Sequence, residues 1–161
     1  MKTIICYATK TGTTETAAKE LAGLLGAIKV CNLEKETPDI HNFDLVIIGG
    51  SIRMGKLHKA AKKFIDANTK ELLSKKCAFF ICNGFPEQAE TFLIQNIGQE
   101  LLSHSICAAS LGGELDLSKL KGMDKFIAKA VTSSMKDNPQ AVPKLLHESI
   151  KEFAKTVKAE Q

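Results

Sequence analysis

The chain has 161 residues, of which 44% are hydrophobic and 25% charged, and its formal net charge is +4. This length suits one domain with a sizeable core, so we expect a single domain over residues 1–161. No apolar stretch approaches the ~20 residues that cross a bilayer, and the N-terminus lacks the pattern of a signal peptide. We therefore expect a cytoplasmic protein without a transmembrane segment.

Short apolar runs alternate with longer stretches of helical periodicity along the chain. Runs such as Leu45-Val46-Ile47-Ile48 do not alternate with polar residues, which is typical of strands with helices on both sheet faces. We therefore predict an α/β fold with a doubly wound, five-stranded parallel sheet of order 2-1-3-4-5 and an additional helix before the C-terminal helix. The predicted strands are Lys2–Tyr7, Ala27–Asn32, Asp44–Gly49, Lys76–Cys82 and Ser105–Leu111. The predicted helices are Thr13–Leu25, His58–Leu73, Pro86–Ser103, Ser118–Met135 and Val142–Lys158.

A hydroxyl-rich loop joins the first predicted strand to the first predicted helix. A helix N-terminus presents backbone N–H groups and the positive end of the helix dipole, which suits a phosphate. Gly12 allows a tight turn around an anion because it has no Cβ. The simpler alternative is that Thr11 or Thr13 only caps the helix, but one threonine would suffice for that. We expect a phosphate to bind at Thr9, Lys10, Thr11, Gly12, Thr13 and Thr14.

Two further loops follow the third and fourth predicted strands, where ligands bind in a doubly wound sheet. The segment from Gly49 to Lys56 contains three glycines, which permit positive φ and a close approach of the backbone to a flat ring. Glycine-rich turns after strands are ordinary, but two such loops beside a phosphate loop favour a shared ligand site. The expected contacts are Ser51, Ile52, Arg53, Met54 and Gly55 on one side of a ring, and Asn83, Gly84 and Phe85 on the other.

Three segments resemble a known family. Thr9-Lys10-Thr11-Gly12-Thr13-Thr14 resembles the T-x-T-G-x-T phosphate signature of flavodoxins and matches it at every fixed position. Gly50–His58 is similar to the A-S-I-R-Y-G-x-x-H stretch of the flavodoxin-like, menaquinone-dependent protoporphyrinogen oxidases, and Met123–Lys129 resembles their Y-D-R-F-M-I-K. The resemblance covers nearly the whole chain. It implies a flavodoxin-like fold and FMN as the cofactor, bound by the residues named in the three loops.

The same resemblance implies an FMN-dependent redox protein related to the protoporphyrinogen oxidases of haem biosynthesis. We expect an oxidoreductase that exchanges electrons with a porphyrinogen, a quinone or a redox partner protein. Two alternatives remain: a flavodoxin-type electron carrier without porphyrinogen activity, and a signalling module of the same fold without flavin. A receiver domain would need acidic residues after the first strand and at the end of the third, where this chain has Ala8-Thr9 and Gly49-Gly50.

Positive charge is concentrated in two parts of the chain. Arg53 to Lys63 contains five cations and no acid, and Ser118 to Gln161 contains nine lysines against five acids. Both would attract an anionic partner or surface. Because Lys59, Lys62 and Lys63 share one side of a predicted helix, we expect a docking surface for an anionic partner, a substrate or a peripheral membrane contact. The alternative is a solvated face, and we expect no nucleic-acid partner.

The cysteines and histidines do not predict a metal site. The five cysteines contain no CxxC pair and fall in or beside predicted strands, so we expect small buried hydrophobic residues. The four histidines lie far apart in the sequence and lack the spacing of metal ligands. We expect His58 and His104 to be surface or helix-capping residues.

Overall fold

The computed structural model of the protein describes residues 1–113 and 145–161. The helix predicted over Ser118–Met135 and the family-like segment Met123–Lys129 lie outside the described residues. So does the start of the helix predicted over Val142–Lys158.

The sheet has five parallel strands and one short antiparallel addition. The strands are β1 (Thr3–Ala8), β2 (Lys29–Asn32), β3 (Leu45–Arg53), β4 (Lys56–Leu57), β5 (Lys76–Cys82) and β6 (Ala108–Ser110). The parallel strands lie in the order β2-β1-β3-β5-β6, which confirms the predicted doubly wound sheet. β4 was not predicted, and it pairs antiparallel with the end of β3.

The helices in the described ranges cover both faces of the sheet. They are α1 (Thr13–Leu25), α2 (Lys59–Leu72), α3 (Ala89–Ile97), α4 (Gln99–His104) and α5 (His147–Ala159), with a 3-10 turn over Pro86–Gln88. The single helix predicted over Pro86–Ser103 is wrong, because Gly98 adopts φ 94° and separates α3 from α4. Within the described part of the chain, no helix is long and apolar enough to cross a membrane.

The hydrophobic core is divided by the sheet into two clusters. Val46 and Ile48 of β3 pack on one face with α2, α3 and α4, while Leu45 and Ile47 pack on the other face with α1 and α5. All four side chains are at most 2% exposed. The uninterrupted apolar run in the sequence is therefore explained by burial on both sides.

The strand register brings the functional loops to one edge. Ala8 of β1 pairs with Gly50 of β3, and Ser51 pairs with Cys82 of β5. The segments that follow β1 and β5 therefore start beside the final residues of β3. β1 has β2 on one side and β3 on the other, so this edge lies at the switch point of the sheet, where ligands of doubly wound folds bind.

Just after β6, two segments that are far apart in the sequence come together. Gly112 forms an isolated antiparallel bridge with Leu145, and the Leu146 N–H donates to the Leu111 carbonyl oxygen at 2.9 Å. The chain that leaves after β6 thus returns beside its point of departure before α5 begins.

Gly49 of β3 provides the space occupied by Phe80 of β5. A Cβ at Gly49 would lie 2.0 Å from Phe80 Cζ. The ring is 1% exposed and packs edge-on against Phe153, with ring centroids 6.2 Å apart, so it has little freedom to move. We expect Gly49→Ala to lower the free energy of unfolding by about 1–3 kcal/mol through overpacking, measured by urea denaturation.

Two variants test this explanation. Phe80→Leu in the Gly49→Ala background should recover part of the loss, because the clashing ring is removed. Gly23→Ala lies in α1 at an exposed position with open space around it, so it should be neutral or stabilise by up to about 1 kcal/mol. Equal losses in the Gly49 and Gly23 variants would contradict the overpacking mechanism.

Candidate functional site

The loop between β1 and α1 ends in a left-handed glycine at the start of the helix. Gly12 has φ 96° and is the N-cap residue of α1. Its carbonyl oxygen accepts hydrogen bonds from the Thr16 N–H at 3.0 Å and the Thr16 hydroxyl at 3.1 Å. The N-cap residue has no side chain, so the alternative that Thr11 or Thr13 is the cap is wrong. The positive end of α1 therefore meets the sheet edge without a capping side chain.

Thr9 and Thr14 shape this loop from its two ends. Thr9 Oγ1 accepts a hydrogen bond from the Gly12 N–H at 2.9 Å and closes the loop on itself. The Thr14 hydroxyl is fully buried, and the described residues offer it no nitrogen or oxygen partner, only a weak interaction with a thiol. Its neighbour is the Cys82 thiol, whose pKa burial raises to about 12, so that thiol is neutral. An unsatisfied buried hydroxyl costs about 1–3 kcal/mol, and Thr14 therefore fits a ligand oxygen at this loop.

A carboxylate links the loop to the start of α2. Glu34 Oε2 accepts from the Thr9 N–H at 3.4 Å, and Glu34 Oε1 lies 3.4 Å from His58 Nε2. His58 Nδ1 accepts from the Ala60 N–H at 3.2 Å, which confirms its predicted capping role. In the neutral tautomer Nε2 then carries the proton and faces Glu34. The sequence did not predict this link, because Glu34 follows a different strand.

A two-residue hairpin stands where a glycine-rich loop was predicted. β3 continues to Arg53 and returns through Met54 and Gly55 into β4, so Ser51, Ile52 and Arg53 lie in a strand. Met54 has φ 51° and Gly55 has φ 75°, and two positive φ values are typical of a type I′ turn. Met54 is 77% exposed, and the left-handed conformation costs a non-glycine residue ~1–2 kcal/mol.

The three glycines of this segment have different roles from those predicted. Only Gly55 adopts a positive φ. Gly49 makes room for Phe80, and a Cβ at Gly50 would lie 2.6 Å from Leu57 Cδ1. Gly49 and Gly50 are therefore required for packing inside the sheet, and not for a turn around a ligand.

Asn96 of α3 fastens the hairpin to the body of the fold. Its Oδ1 accepts from the Leu57 N–H at 2.9 Å, and its Nδ2 donates to the carbonyl oxygens of Gly55 at 2.9 Å and Phe92 at 2.8 Å. Asn96 is 8% exposed. Sequence analysis missed this residue, although it interrupts the apolar face formed by Leu93 and Ile97.

The segment after β5 is held by a second amide side chain. Asn83 Nδ2 donates to the Phe85 carbonyl oxygen at 2.6 Å, and Asn83 Oδ1 accepts from the Ser110 hydroxyl at 2.6 Å. The Asn83 N–H donates to the Gly112 carbonyl oxygen at 3.0 Å. The oxygen and the nitrogen of the Asn83 side chain both have protein partners, so Asn83 positions the loop. Gly84 and Phe85 are half-buried and form the part of the loop that a ligand can reach. Ser110 was not predicted.

The three segments predicted to share a ligand start from the same edge of the sheet. The ends of β1, β3 and β5 are aligned in register. Thr9 directly follows β1, Ser51 lies near the end of β3, and Asn83 directly follows β5. Lys10 and Arg53 are exposed at the rim, whereas Ser51 and Ile52 are half-buried. Ile52 also packs against the core cluster of α2.

The cysteines do not form a reactive or metal-binding cluster in the described residues. All five are free, and Cys6, Cys31, Cys77 and Cys82 are buried. The hydrogen bond with Cys31 and burial raise the pKa of Cys6, and burial raises the pKa of Cys77 to about 12. Within residues 1–113 and 145–161, no group of three histidine, cysteine or acidic side chains is placed to hold a metal ion.

Comparison with known proteins identifies a matching family and a related sequence. The family model for a flavodoxin domain matches residues 4–141. Over 143 residues the chain is 30% identical to protoporphyrinogen IX dehydrogenase (quinone) of Escherichia coli strain K12, and the match covers 81% of this chain and 78% of that protein.

Solved structures are similar in fold. A flavoprotein in complex with FMN from Lactobacillus acidophilus NCFM is 15% identical, with a TM-score of 0.54, and the match covers 68% of this chain and 92% of that one. The two-electron reduced flavodoxin of Megasphaera elsdenii is 21% identical, with a TM-score of 0.54, and the match covers 67% of this chain and 84% of that one. At these identities the likeness concerns the fold alone.

Replacement of Asn96 by aspartate tests how the hairpin is held. Asn96→Asp keeps an acceptor for the Leu57 N–H, loses both donated hydrogen bonds and places a charge at a site that is 8% exposed. We expect the free energy of unfolding at pH 7 to fall by about 2–4 kcal/mol, measured by urea denaturation. Gln95→Glu makes the same amide-to-acid change at the exposed neighbouring position, and should stay within about 0.5 kcal/mol. Similar losses in both variants would contradict the role of Asn96.

Proposed function

The chain belongs to the flavodoxin domain family, and we propose on this basis that it is an FMN-binding redox protein. The observation that carries the proposal is the N-terminus of α1 at the switch point of the sheet. There the N-cap residue is a glycine with φ 96°, and a fully buried threonine hydroxyl has no nitrogen or oxygen partner among the described residues. This arrangement fits a phosphate oxygen better than a conventional capped helix.

The phosphate of FMN binds at the loop between β1 and α1. The helix dipole and first-turn backbone stabilise its negative charge, and the exposed Lys10 adds a cation at the rim. The hydroxyl of Thr14 donates to a phosphate oxygen. The remaining members of this loop are the predicted phosphate residues Thr9, Thr11, Gly12 and Thr13.

The flavin ring lies between the β3–β4 hairpin and the segment after β5. Ser51 to Gly55 flank one side, held in place by Asn96, and Asn83 to Phe85 flank the other, held in place by Ser110. The chain has no tryptophan, and its one tyrosine, Tyr7, is buried in β1. The ring contacts are therefore aliphatic and thioether groups with one phenyl face, from Phe85. When bound, FMN supplies the transfer of electrons and accompanying protons, and the protein supplies position and electrostatics.

The reaction we propose is oxidation of a porphyrinogen, with the electrons passed on to a quinone. The 30% identity to the Escherichia coli dehydrogenase over 81% of the chain supports this reaction class. The exposed cation Arg53 at the end of β3 would attract the carboxylates of such a substrate. The second candidate is a protein-to-protein electron carrier, which the exposed hairpin tip at Met54 favours because it offers a contact point for another protein.

FMN binding is tested by a charge at the phosphate loop. Gly12→Asp places a carboxylate where the phosphate binds, so we expect the dissociation constant of FMN to rise at least 100-fold, measured by quenching of flavin fluorescence on titration. Gly12→Asn has nearly the same shape and the same positive-φ strain without the charge, and should bind more tightly than Gly12→Asp.

A matched control lies at the other end of the same helix. Gly26 also has a positive φ, 64°, and open space around it, so Gly26→Asp carries a comparable backbone strain. It should leave FMN affinity within about threefold of the wild type, because helix-end effects are local. Failure of the wild-type chain to bind FMN, as purified or after reconstitution, would remove the central claim and favour the signalling alternative.

The reaction class is tested with the FMN-loaded protein under anaerobic conditions. Mixing with protoporphyrinogen should bleach the flavin absorbance, and later addition of a menaquinone analogue should restore it. The same sequence with a typical acidic flavodoxin serves as the control and should be slower. If neither porphyrinogen nor quinone reacts while reduced redox proteins exchange electrons rapidly, the carrier function replaces the dehydrogenase function.

A further inference from the structure

A basic groove lies beside the β3–β4 hairpin, on the face of the sheet that carries α2. Its volume is about 750 Å³, and its lining includes the buried Leu57, the exposed Ala67, one acid, Asp66, and four lysines, Lys56, Lys59, Lys62 and Lys63. The groove also contacts Asn96, which fastens the hairpin. The groove is therefore continuous with the β3–β4 hairpin, whose opposite side flanks the proposed flavin ring.

Most of the positive charge in the groove is uncompensated. Lys62 pairs with Asp66 at 2.6 Å, whereas Lys56, Lys59 and Lys63 form no ion pair within the described residues. Lys59 stands in the first turn of α2, where a cation opposes the helix dipole at a cost of ~0.3–1 kcal/mol, and Lys62 and Lys63 follow it in the next turn. Helix stability does not account for this cluster, which an external anion would neutralise.

The tip of the hairpin adds an apolar contact to the charged groove. Met54 is 77% exposed and is flanked in the chain by Arg53 and, after Gly55, by Lys56. Methionine and arginine are enriched in protein interfaces, where an apolar centre is surrounded by a polar rim. We propose that Met54 and the basic groove, together the hairpin face, form the docking site for an acidic redox protein that exchanges electrons with the flavin. This inference rests on the second candidate function, the protein-to-protein electron carrier, and adds its partner.

The composition of the hairpin face favours a protein over a membrane. The groove is open to solvent and follows α2 from Lys59 to Ala67, about 12 Å at 1.5 Å per residue, so carboxylates that protrude from a folded surface can reach its lysines. Cations alone hold a protein at an anionic lipid surface reversibly, and stable attachment adds a broad apolar face that enters the headgroup region. The apolar residues Ala61, Phe64, Ile65 and Leu72 of α2 are instead buried in the core.

A kinetic experiment with a defined acidic probe tests the docking site. A reduced, strongly acidic [2Fe–2S] ferredoxin is mixed with the FMN-loaded protein in a stopped-flow instrument. Each cluster loses one electron, and two clusters with two solvent protons fully reduce one FMN. For the wild type, the second-order rate constant should fall steeply as salt rises, because the Debye length is only about 10 Å at 0.1 M.

Charge reversal in the groove should remove this dependence. The variant Lys56→Glu/Lys59→Glu/Lys63→Glu should react at least tenfold more slowly at low salt and approach the wild type at high salt. The control variant Lys151→Glu/Lys155→Glu/Lys158→Glu makes the same charge change on α5, which packs against the other face of the sheet. It should stay within about twofold of the wild type. Reduction by the reduced methyl viologen cation should not be slowed in either variant.

Binding is measured separately from electron transfer. Oxidised ferredoxin added to the ¹⁵N-labelled protein at low salt should shift or broaden the amide signals of Arg53 to Ala67, and those of α5 should stay unchanged. This measurement needs no FMN, so the docking site is tested even if the cofactor proposal fails.

Three results would overturn the inference. One is equal slowing in the groove variant and the α5 control. Another is a set of perturbed amides that excludes the hairpin face. The third is binding of phosphatidylglycerol vesicles that depends on Lys56, Lys59 and Lys63 while ferredoxin exchange does not, which would assign the hairpin face to a membrane.

Discussion

Backbone pairing among β1, β3 and β5 determines where every functional segment of this protein begins. Ala8 pairs with Gly50 and Ser51 pairs with Cys82, so a turn, a hairpin and a loop leave the sheet at one level. This register depends on close packing behind it, since the ring of Phe80 occupies the space above Gly49. A shift of one residue along any of these strands would turn buried side chains outward and separate the three segments.

Each of the three segments is tied to the fold by a polar side chain from a different element. Asn96 of α3 binds Gly55 in the hairpin turn and Leu57 in β4, and Ser110 of β6 binds Asn83 after β5. Glu34, beyond β2, bridges the loop before α1 and His58 at the start of α2. Because these contacts fix the three segments relative to the sheet, they reduce the conformational entropy that a ligand would have to remove on binding.

Sequence reasoning succeeded where short-range patterns carry the structure. The apolar run at Leu45 to Ile48 indicated a doubly covered sheet, and the position of Gly12 between a strand and a helix indicated a tight turn. It failed where one residue overrides a pattern. Apolar periodicity continues across Gly98, from Leu93 and Ile97 to Leu101, although the backbone breaks there.

The hairpin was missed for a related reason. A left-handed methionine is rare enough that Met54-Gly55 does not read as a turn, and the contacts that stabilise it come from Asn96, forty-one residues away from Gly55. Glu34 and Ser110 were missed for the same cause, since their partners lie on other strands. Long-range polar contacts of this kind leave no periodic signal in a single sequence.

The bridge between Gly112 and Leu145 has a consequence for the chain that runs between these two residues. Since the chain departs and returns at adjacent backbone positions, the length of the intervening stretch is decoupled from the geometry of the sheet. For a chain segment whose two ends are fixed in space, loop-closure entropy grows only slowly with length. The bridge therefore sets the positions of the end of β6 and the start of α5 independently of how many residues lie between Gly112 and Leu145.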